Sequence, residues 1–285
     1  MAGSIRRTTS HIRSSSWPST SHPLDSSVEA LLHKLTTSKL EPSSTASSIC
    51  TNLSNIKELY EGINHSIGCP LNQRALSLEQ HQASVEEVLE GSLSLLEACS
   101  STNDVLSLLR EAIVELQSCL RRKSGEQEKG LHAYMMSRKK IQKMANKCLK
   151  KLNKINSQQD RSYSVSIVRM LREAEIVSFF TLKSIMTYLS TPTITSRSWS
   201  LMTKVMNSKH VSCERQRDSN EIEKIDSTVF AFEGKKTNKD VKMAQDLLKQ
   251  LATLELSVQE IEGSLESISR CLLRTRVSLL NIISH

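Results

Sequence analysis

Hydrophobic residues recur every three or four positions along most of this 285-residue chain. That spacing matches the α-helix, in which residues three and four apart share one face. The clearest stripe consists of Val105, Leu108, Leu109, Ala112, Ile113, Leu116 and Leu120. We predict an all-α protein, an elongated multi-helix bundle that ends in a long, coiled-coil-like helix.

Interruptions of the pattern divide the chain into predicted helices. Proline and glycine at Pro42 and at Gly68-Cys69-Pro70 end the first two helices, because neither residue type continues a helix well. Capping residues at 100–104 predict a turn, and Gly125 and Gly130 bracket a predicted loop. The predicted helices cover about 28–35, 49–67, 73–99, 105–123, 131–155, 165–189, 199–206, 222–232 and 238–283.

The last of these patterns runs over 238–283 and predicts a helix on the order of 60–70 Å long. Such a rod either lies along the whole bundle or pairs with a partner rod. Its middle is acidic, with Glu255, Glu260, Glu262 and Glu266. Gly263 costs about 1 kcal/mol of helix propensity, which predicts that another helix approaches closely there.

The segment 165–189 is apolar on nearly every side. A helix of that kind is usually the centre of a bundle. Its most apolar part, residues 176–189, is only fourteen residues long and contains Lys183, whereas a membrane span needs roughly twenty. The pattern therefore predicts a core helix.

Composition supports a helical core without metal or disulfide staples. Hydrophobic content is 38% but aromatic content is 4%, and eight glycines and five prolines are too few for a β-sandwich. Seven cysteines, at 50, 69, 99, 119, 148, 213 and 271, include no C-x-x-C pair. We expect reduced, mostly buried thiols, no metal site and no cofactor.

The surplus positive charge lies in one short segment. The chain has 38 Lys and Arg against 30 Asp and Glu, and residues 138–154 hold eight basic residues and no acidic one. On a helical projection, seven lysines fall within roughly a third of the circle, opposite Ile141, Ala145 and Leu152. These lysines are Lys139, Lys140, Lys143, Lys147, Lys150, Lys151 and Lys154. We predict that they form a binding surface for an anionic membrane or a partner protein.

Other interpretations of the basic segment stay open at this stage. The lysines are equally consistent with a solvated face whose charge is balanced by the acidic middle of the last helix. Calmodulin-type binding requires Ile141, Cys148 and Leu152 to leave the core, at a cost of several kcal/mol. Nucleic-acid binding ranks last, because no recognised module or aromatic stacking residues accompany the charge.

The N-terminal residues 1–25 form a Ser- and Arg-rich head, which we predict to be disordered and to precede a helical domain over 26–285. Arg6 and Arg7 stand three residues before Thr9 and Ser10, which makes these two candidate phosphorylation sites. The same composition suits an organelle transit peptide or an inert tail. A polar stretch near 207–220 lacks a helical stripe and is predicted to be a mobile linker.

Catalytic motifs are missing from the sequence. It contains no phosphate-binding glycine loop, no H-E-x-x-H and no nucleophile elbow. We therefore expect a protein that is not an enzyme and has no small-molecule substrate. The competing hypothesis is an enzyme with an unfamiliar site, which a deep pocket with clustered polar groups would favour.

Several segments, in order along the chain, resemble one plant-specific family. They are HIRS at 11–14 with HP at 22–23, LSNIKELYE at 53–61, VLEGS at 88–92, SRKK at 137–140, VRMLREAE at 168–175, LES at 265–267 and RTRVSLLN at 274–281. Together they resemble the BYPASS-like proteins, a family with a domain of unknown function. The resemblance implies an all-helical protein linked to root and shoot development. It supplies no established enzyme activity and no catalytic residues, and it weakens the transit-peptide interpretation because the head belongs to the family pattern.

The favoured function is a non-enzymatic regulatory or scaffolding protein in plant root and shoot development. Its helices, above all the last one, would contact partner proteins, and the lysines would supply electrostatic contacts. We expect a cytoplasmic protein with peripheral attachment to membranes as the alternative, and a plastid location stays open.

Overall fold

A computed structural model describes residues 23–38, 45–122, 124–155, 165–192, 220–233 and 240–284. These residues form eight α-helices and one 3-10 turn, and none of them forms a strand. The α-helices are α1 Pro23–Ser38, α2 Ala46–Ile67, α3 Pro70–Leu76, α4 Gln82–Leu120, α5 Ser124–Ile155, α6 Ser166–Leu189, α7 Glu221–Glu233 and α8 Asp240–Ile283. The predicted all-α class and the long last helix are confirmed.

Four long helices, α2, α6, α4 and α8, form a square in which each packs against its two neighbours. Helix α5 packs against α4 and α6, and α1 packs against α2 and α6. The short helix α7 contacts α8 and α5 near the end of α6. The described helices share one hydrophobic core, so apolar burial is the main stabilising term of the fold.

Polar contacts between the helices fix their directions. Thr275 of α8 donates to Asn64 of α2, and Cys50 lies beside Glu260, so α2 and α8 run parallel. Helix α4 runs antiparallel to α8, because Gln117 contacts Glu255 while Ser107 contacts Glu262. The last helix, about 66 Å long at 1.5 Å per residue, thus lies along its own bundle.

Helix α6 is the most enclosed helix, as its sequence predicts. It packs against α1, α2, α4 and α5. Most of its side chains are buried, among them Ile167, Met170, Ala174, Ile185 and Met186, each fully or almost fully inaccessible to solvent. Among the described residues, no helix is long and apolar enough to cross a lipid bilayer.

The predicted turn at 100–104 is wrong, since α4 continues through it to Leu120. The capping residues are accommodated inside the helix: Thr102 is buried and donates its hydroxyl to the carbonyl of Ala98, one turn back. A hydroxyl bonded in this way leaves the helical ladder intact. The buried face also stays in register from Cys99 through Thr102 to Val105.

The predicted loop before the basic helix is also wrong. Helix α5 begins at Ser124 rather than near Leu131, so Gly130 is helical and buried. A Cβ atom at Gly130 would lie 2.4 Å from the Cβ of Cys119. The glycine therefore permits close packing of α4 and α5 rather than a turn.

Gly263 does not mark a close helix approach. A Cβ atom there would have no neighbour within 4 Å, and the residue is exposed. The predicted head at 1–25, including Thr9 and Ser10, lies almost wholly outside the described residues. The predicted helix at 199–206 lies outside them as well, and so does the linker at 207–220 apart from Asn220. The domain boundaries therefore stay predictions.

Candidate functional site

The lysine face is the set Lys139, Lys140, Lys143, Lys147, Lys150, Lys151 and Lys154, and all seven side chains are exposed. The opposite side of α5 is buried, with Ile141 and Ala145 fully inaccessible and Leu152 nearly so. The segment is therefore helical and amphipathic, with its apolar flank packed on α4 and α6. Its geometry agrees with the pattern in the sequence.

Few acidic side chains accompany the lysine face in the described structure. Lys151 approaches Glu97 of α4 at 3.8 Å, with both side chains largely exposed, a pair that contributes about 0–1 kcal/mol. The acidic middle of α8 does not serve as its counter-charge. Glu262 instead pairs with Arg110 of α4 at 3.0 Å, and Glu255 accepts from Gln117 of the same helix.

The exposed face of α5 extends further toward its N-terminus than the lysine face predicted from the sequence. Lys129, His132 and Met136 are exposed on the same side as the lysines, and Met136 keeps 53% of its surface in solvent. Helical projection from Lys139 back to Lys129 could have shown this. The predicted loop before residue 131 concealed Lys129, whereas His132 and Met136 already lay within the predicted helix.

Arg138, counted in the sequence as part of the basic segment, is completely buried and takes no part in the lysine face. Its Nε donates to both carboxylate oxygens of Asp226 in α7 at 3.1 Å. Tyr134 donates to the same carboxylate at 3.0 Å. Burial raises the pKa of Asp226, and the Arg138 guanidinium acts in the opposite direction. Asp226 and Arg138 thus form a buried ion pair that joins α5 to α7.

The same guanidinium also binds the end of α6. Its Nη atoms donate to the carbonyls of Leu189 and Thr191 at 3.3 Å. The last carbonyls of a helix lack partners within it and carry partial negative charge. Arg138 therefore satisfies the C-terminus of α6 while it holds α7 in place.

A second polar cluster, partly buried, lies between α4 and α6. Arg172 donates to Glu175 at 2.7 Å and to Glu87 of α4 at 3.1 Å. Glu175 is almost fully buried, and desolvation raises its pKa to about 8 against the opposing effect of Arg172. Gly91 faces this cluster, where an added Cβ would lie 2.5 Å from a Glu175 oxygen. This close packing helps to explain why Glu175 is desolvated.

A cavity of about 660 Å³ lies between the start of α2, helix α7 and the middle of α8. Ala46, Cys50, Ile225 and Leu254 are its buried lining residues. More exposed polar side chains surround them: Ser47, Thr51, Ser54, Asn55, Glu221, Lys224, Gln250, Thr253, Ser257 and Glu260. Sequence periodicity does not reveal this cavity, because three helices distant in sequence contribute to it.

The thiol in this cavity is not activated. Burial, followed by the charge and hydrogen bond of Glu260, raises the pKa of Cys50 to about 11, so it is a neutral thiol near pH 7. Six cysteines of the described chain, Cys50, Cys69, Cys99, Cys119, Cys148 and Cys271, are free thiols. In the same residues no group of three His, Cys, Asp or Glu side chains is placed to hold a metal ion.

The fold and these surfaces define an all-α bundle protein with an amphipathic, lysine-rich helix on one side. The family model described as Protein BPS1 matches residues 52–282, and the chain belongs to that family. The match confirms the family resemblance seen in the sequence. Comparison with curated proteins and with solved structures finds no match. The matched residues contain the whole lysine face and the Arg138–Asp226 pair, whereas Thr9 and Ser10 lie outside them.

Proposed function

We propose that this protein is a non-enzymatic regulatory or scaffolding protein of plant root and shoot development, and that the lysine face docks it to an anionic membrane surface. The developmental role follows from the family resemblance alone. The observation that carries the docking is the exposure of all seven lysines on a helix whose apolar side is buried. In this proposal the protein works in the cytoplasm, with reversible attachment to membranes.

Electrostatics of the lysine face supports reversible attachment. Each lysine near an anionic leaflet contributes about 1 kcal/mol, and screening by salt over roughly 8–10 Å reduces that contribution. Docking through ammonium groups leaves Ile141 and Leu152 in the core. A calmodulin-type partner would need both side chains released, so the intact bundle favours the membrane surface.

Protein partners are proposed for the exposed side of α8. Leu273, Val277 and Leu280 follow one another at helical spacing and are 52%, 57% and 44% exposed. Apolar residues arranged in this way are typical of helix-in-groove contacts. This side of α8 therefore supports the proposed scaffolding role.

An enzyme with an unfamiliar site is the second candidate, and the cavity beside Cys50 is the observation that favours it. Catalysis by a nucleophilic cysteine needs a thiolate. The raised pKa of Cys50 opposes that state, and no histidine lines the cavity among the described residues. These facts support the non-enzymatic proposal.

Binding to vesicles tests the docking. In the variant Lys143→Glu, Lys147→Glu, Lys150→Glu, Lys151→Glu, we expect loss of co-sedimentation with phosphatidylserine-containing vesicles. The matched control reverses four exposed lysines on other helices: Lys34→Glu, Lys57→Glu, Lys242→Glu and Lys249→Glu. Each variant replaces four positive by four negative charges, so both change the net charge of +8 equally, by −8.

The unaltered protein and the control variant should bind the phosphatidylserine-containing vesicles to nearly the same extent. The binding of both should weaken steeply as the salt concentration rises. Vesicles of phosphatidylcholine alone should bind neither. Failure of the unaltered protein to bind the anionic vesicles would refute membrane docking. Equal loss in both variants would show that only total charge matters and would refute the role of the lysine face.

A further inference from the structure

The cavity between α2, α7 and α8 has the size and the lining of a small-molecule site. Its volume of about 660 Å³ lies within the roughly 300–1,000 Å³ typical of ligand pockets. Cys50, Ile225 and Leu254 give it buried apolar or weakly polar walls. An apolar portion of a ligand would bury against these walls.

Two carboxylates line the cavity from different helices. Glu221 of α7 and Glu260 of α8 both line it, and both act on the ionisation of Cys50. Glu221 also lies 3.4 Å from the backbone nitrogen of Ala46, the first residue of α2. That contact holds the carboxylate of Glu221 beside the start of α2, which lines the cavity.

Three hydroxyl groups of the cavity favour a ligand that donates hydrogen bonds. Thr51, Thr253 and Ser257 each donate their proton to a carbonyl four residues earlier in their own helix. Their oxygens then have only lone pairs to offer a ligand. Lys224 adds one ammonium group. Together with the two carboxylates it gives the cavity lining a net charge of −1.

We propose that this cavity binds a small organic ammonium ion with an apolar body. The amine is held by Glu221 and Glu260, and the apolar body lies against Ile225 and Leu254. The site is independent of the lysine face, which lies on α5 and lines no part of it. The outcome of a test of amine binding therefore does not bear on the membrane-docking proposal.

Three probes of matched shape test the charge requirement: phenethylamine, 2-phenylethanol and 3-phenylpropanoate. Ligand-observed NMR at neutral pH measures their dissociation constants with the full chain. We expect phenethylamine to bind at least about tenfold more tightly than the alcohol, since charge-assisted hydrogen bonds contribute about 1.5–3 kcal/mol. The acid should bind more weakly still.

Variants of the cavity residues test whether phenethylamine binds in the cavity. The double variant Glu221→Gln, Glu260→Gln should weaken phenethylamine about tenfold, while Lys224→Gln should tighten it. The matched control Glu266→Gln removes an exposed carboxylate of the same helix outside the cavity and should change nothing. Circular dichroism and the urea midpoint confirm that each variant is folded.

A bulky change at an exposed wall, Ser54→Trp, should abolish binding of the amine because it fills the cavity without entering the core. Equal affinity for all three probes, or no binding of phenethylamine, would overturn the proposal. It would also be overturned if Ser54→Trp or the double glutamine variant bound the amine as well as the unaltered chain does.

Discussion

At the scale of single residues, neighbouring positions have opposite roles. Arg138 is buried in contact with Asp226, and Lys139 beside it is exposed. The sequence contained a signal for this difference. Arg138 projects onto the apolar side of α5, between Ala145 and Leu149, whereas the lysines project away from it. Its partner could not be found in the same way, because Asp226 is 88 residues distant in sequence.

Replacing two helical glycines by alanine should change the free energy of unfolding in opposite directions. Gly263→Ala should raise the free energy of unfolding by about 0.5–1 kcal/mol, since the site is open and alanine is the better helix former. Gly130→Ala should lower it by about 1–3 kcal/mol, since its Cβ would collide with Cys119. Urea unfolding measures both variants. Stabilisation by Gly130→Ala would contradict the close packing of α4 and α5.

The carboxyl of Glu175 should make stability depend on pH. In the unfolded chain its pKa is near 4.3, and burial raises it to about 8 in the fold. Between these values the folded state holds a proton that the unfolded state has lost. Its contribution is therefore fully present below about pH 4 and is lost as pH rises toward 8, at up to about 1.4 kcal/mol per pH unit.

Urea unfolding between pH 5 and 8.5 compares the unaltered chain with Glu175→Gln, which cannot ionise and should lack this decline. Glu173→Gln is the control, because Glu173 is partly exposed and pairs with Arg169 instead. Identical pH profiles for the unaltered chain and Glu175→Gln would show that Glu175 is ionised in the fold.

At the scale of helices, α7 depends on its buried ion pair. Removing one partner of such a pair typically costs about 3–5 kcal/mol, because the other charge stays buried. We therefore expect Asp226→Ala and Arg138→Met each to lower the free energy of unfolding by that amount. The exposed neighbour Lys139→Met should change it by less than about 0.5 kcal/mol.

The combined variant Arg138→Met, Asp226→Ala completes a double-mutant cycle and isolates the coupling between the two side chains. It should cost less than the sum of the single changes by more than about 1 kcal/mol, because neither charge is then left unpaired. A sum that is simply additive in urea unfolding would contradict direct coupling between α5 and α7.

Helix existence was predictable from the sequence, and helix ends were less so. Periodicity identified α2, α6 and α8 nearly in full, since their buried faces repeat without interruption. The errors at 100–104 and at 125–130 share one cause. Serine, threonine and glycine were interpreted as turn residues, but packing against a neighbouring helix overrides local propensity. The hydroxyl of Thr102 is satisfied by a carbonyl of its own helix, and the missing side chain of Gly130 permits close packing of α4 and α5.

At the scale of the whole molecule, the positive charge of the lysine face contributes little to the stability of the fold. The lysine face is exposed, and Glu255 and Glu262 at the middle of α8 contact α4 instead. The fourfold reversal on α5 should therefore leave the urea midpoint close to that of the unaltered chain. The family and the fold class could be predicted from the sequence. The cavity, the buried Arg138–Asp226 pair and the partly buried cluster around Arg172 could not, because each joins residues far apart along the chain.

The parallel pairing of α2 and α8 has a consequence for biosynthesis. Asn64 and Thr275 are 211 positions apart, and ribosomes add about 5–20 residues per second. The apolar side of α2 must therefore wait roughly 10–40 seconds for its partner to emerge. During that interval the nascent chain exposes an apolar surface to which chaperones can bind. We therefore expect the yield of folded protein to fall when translation stalls before α8.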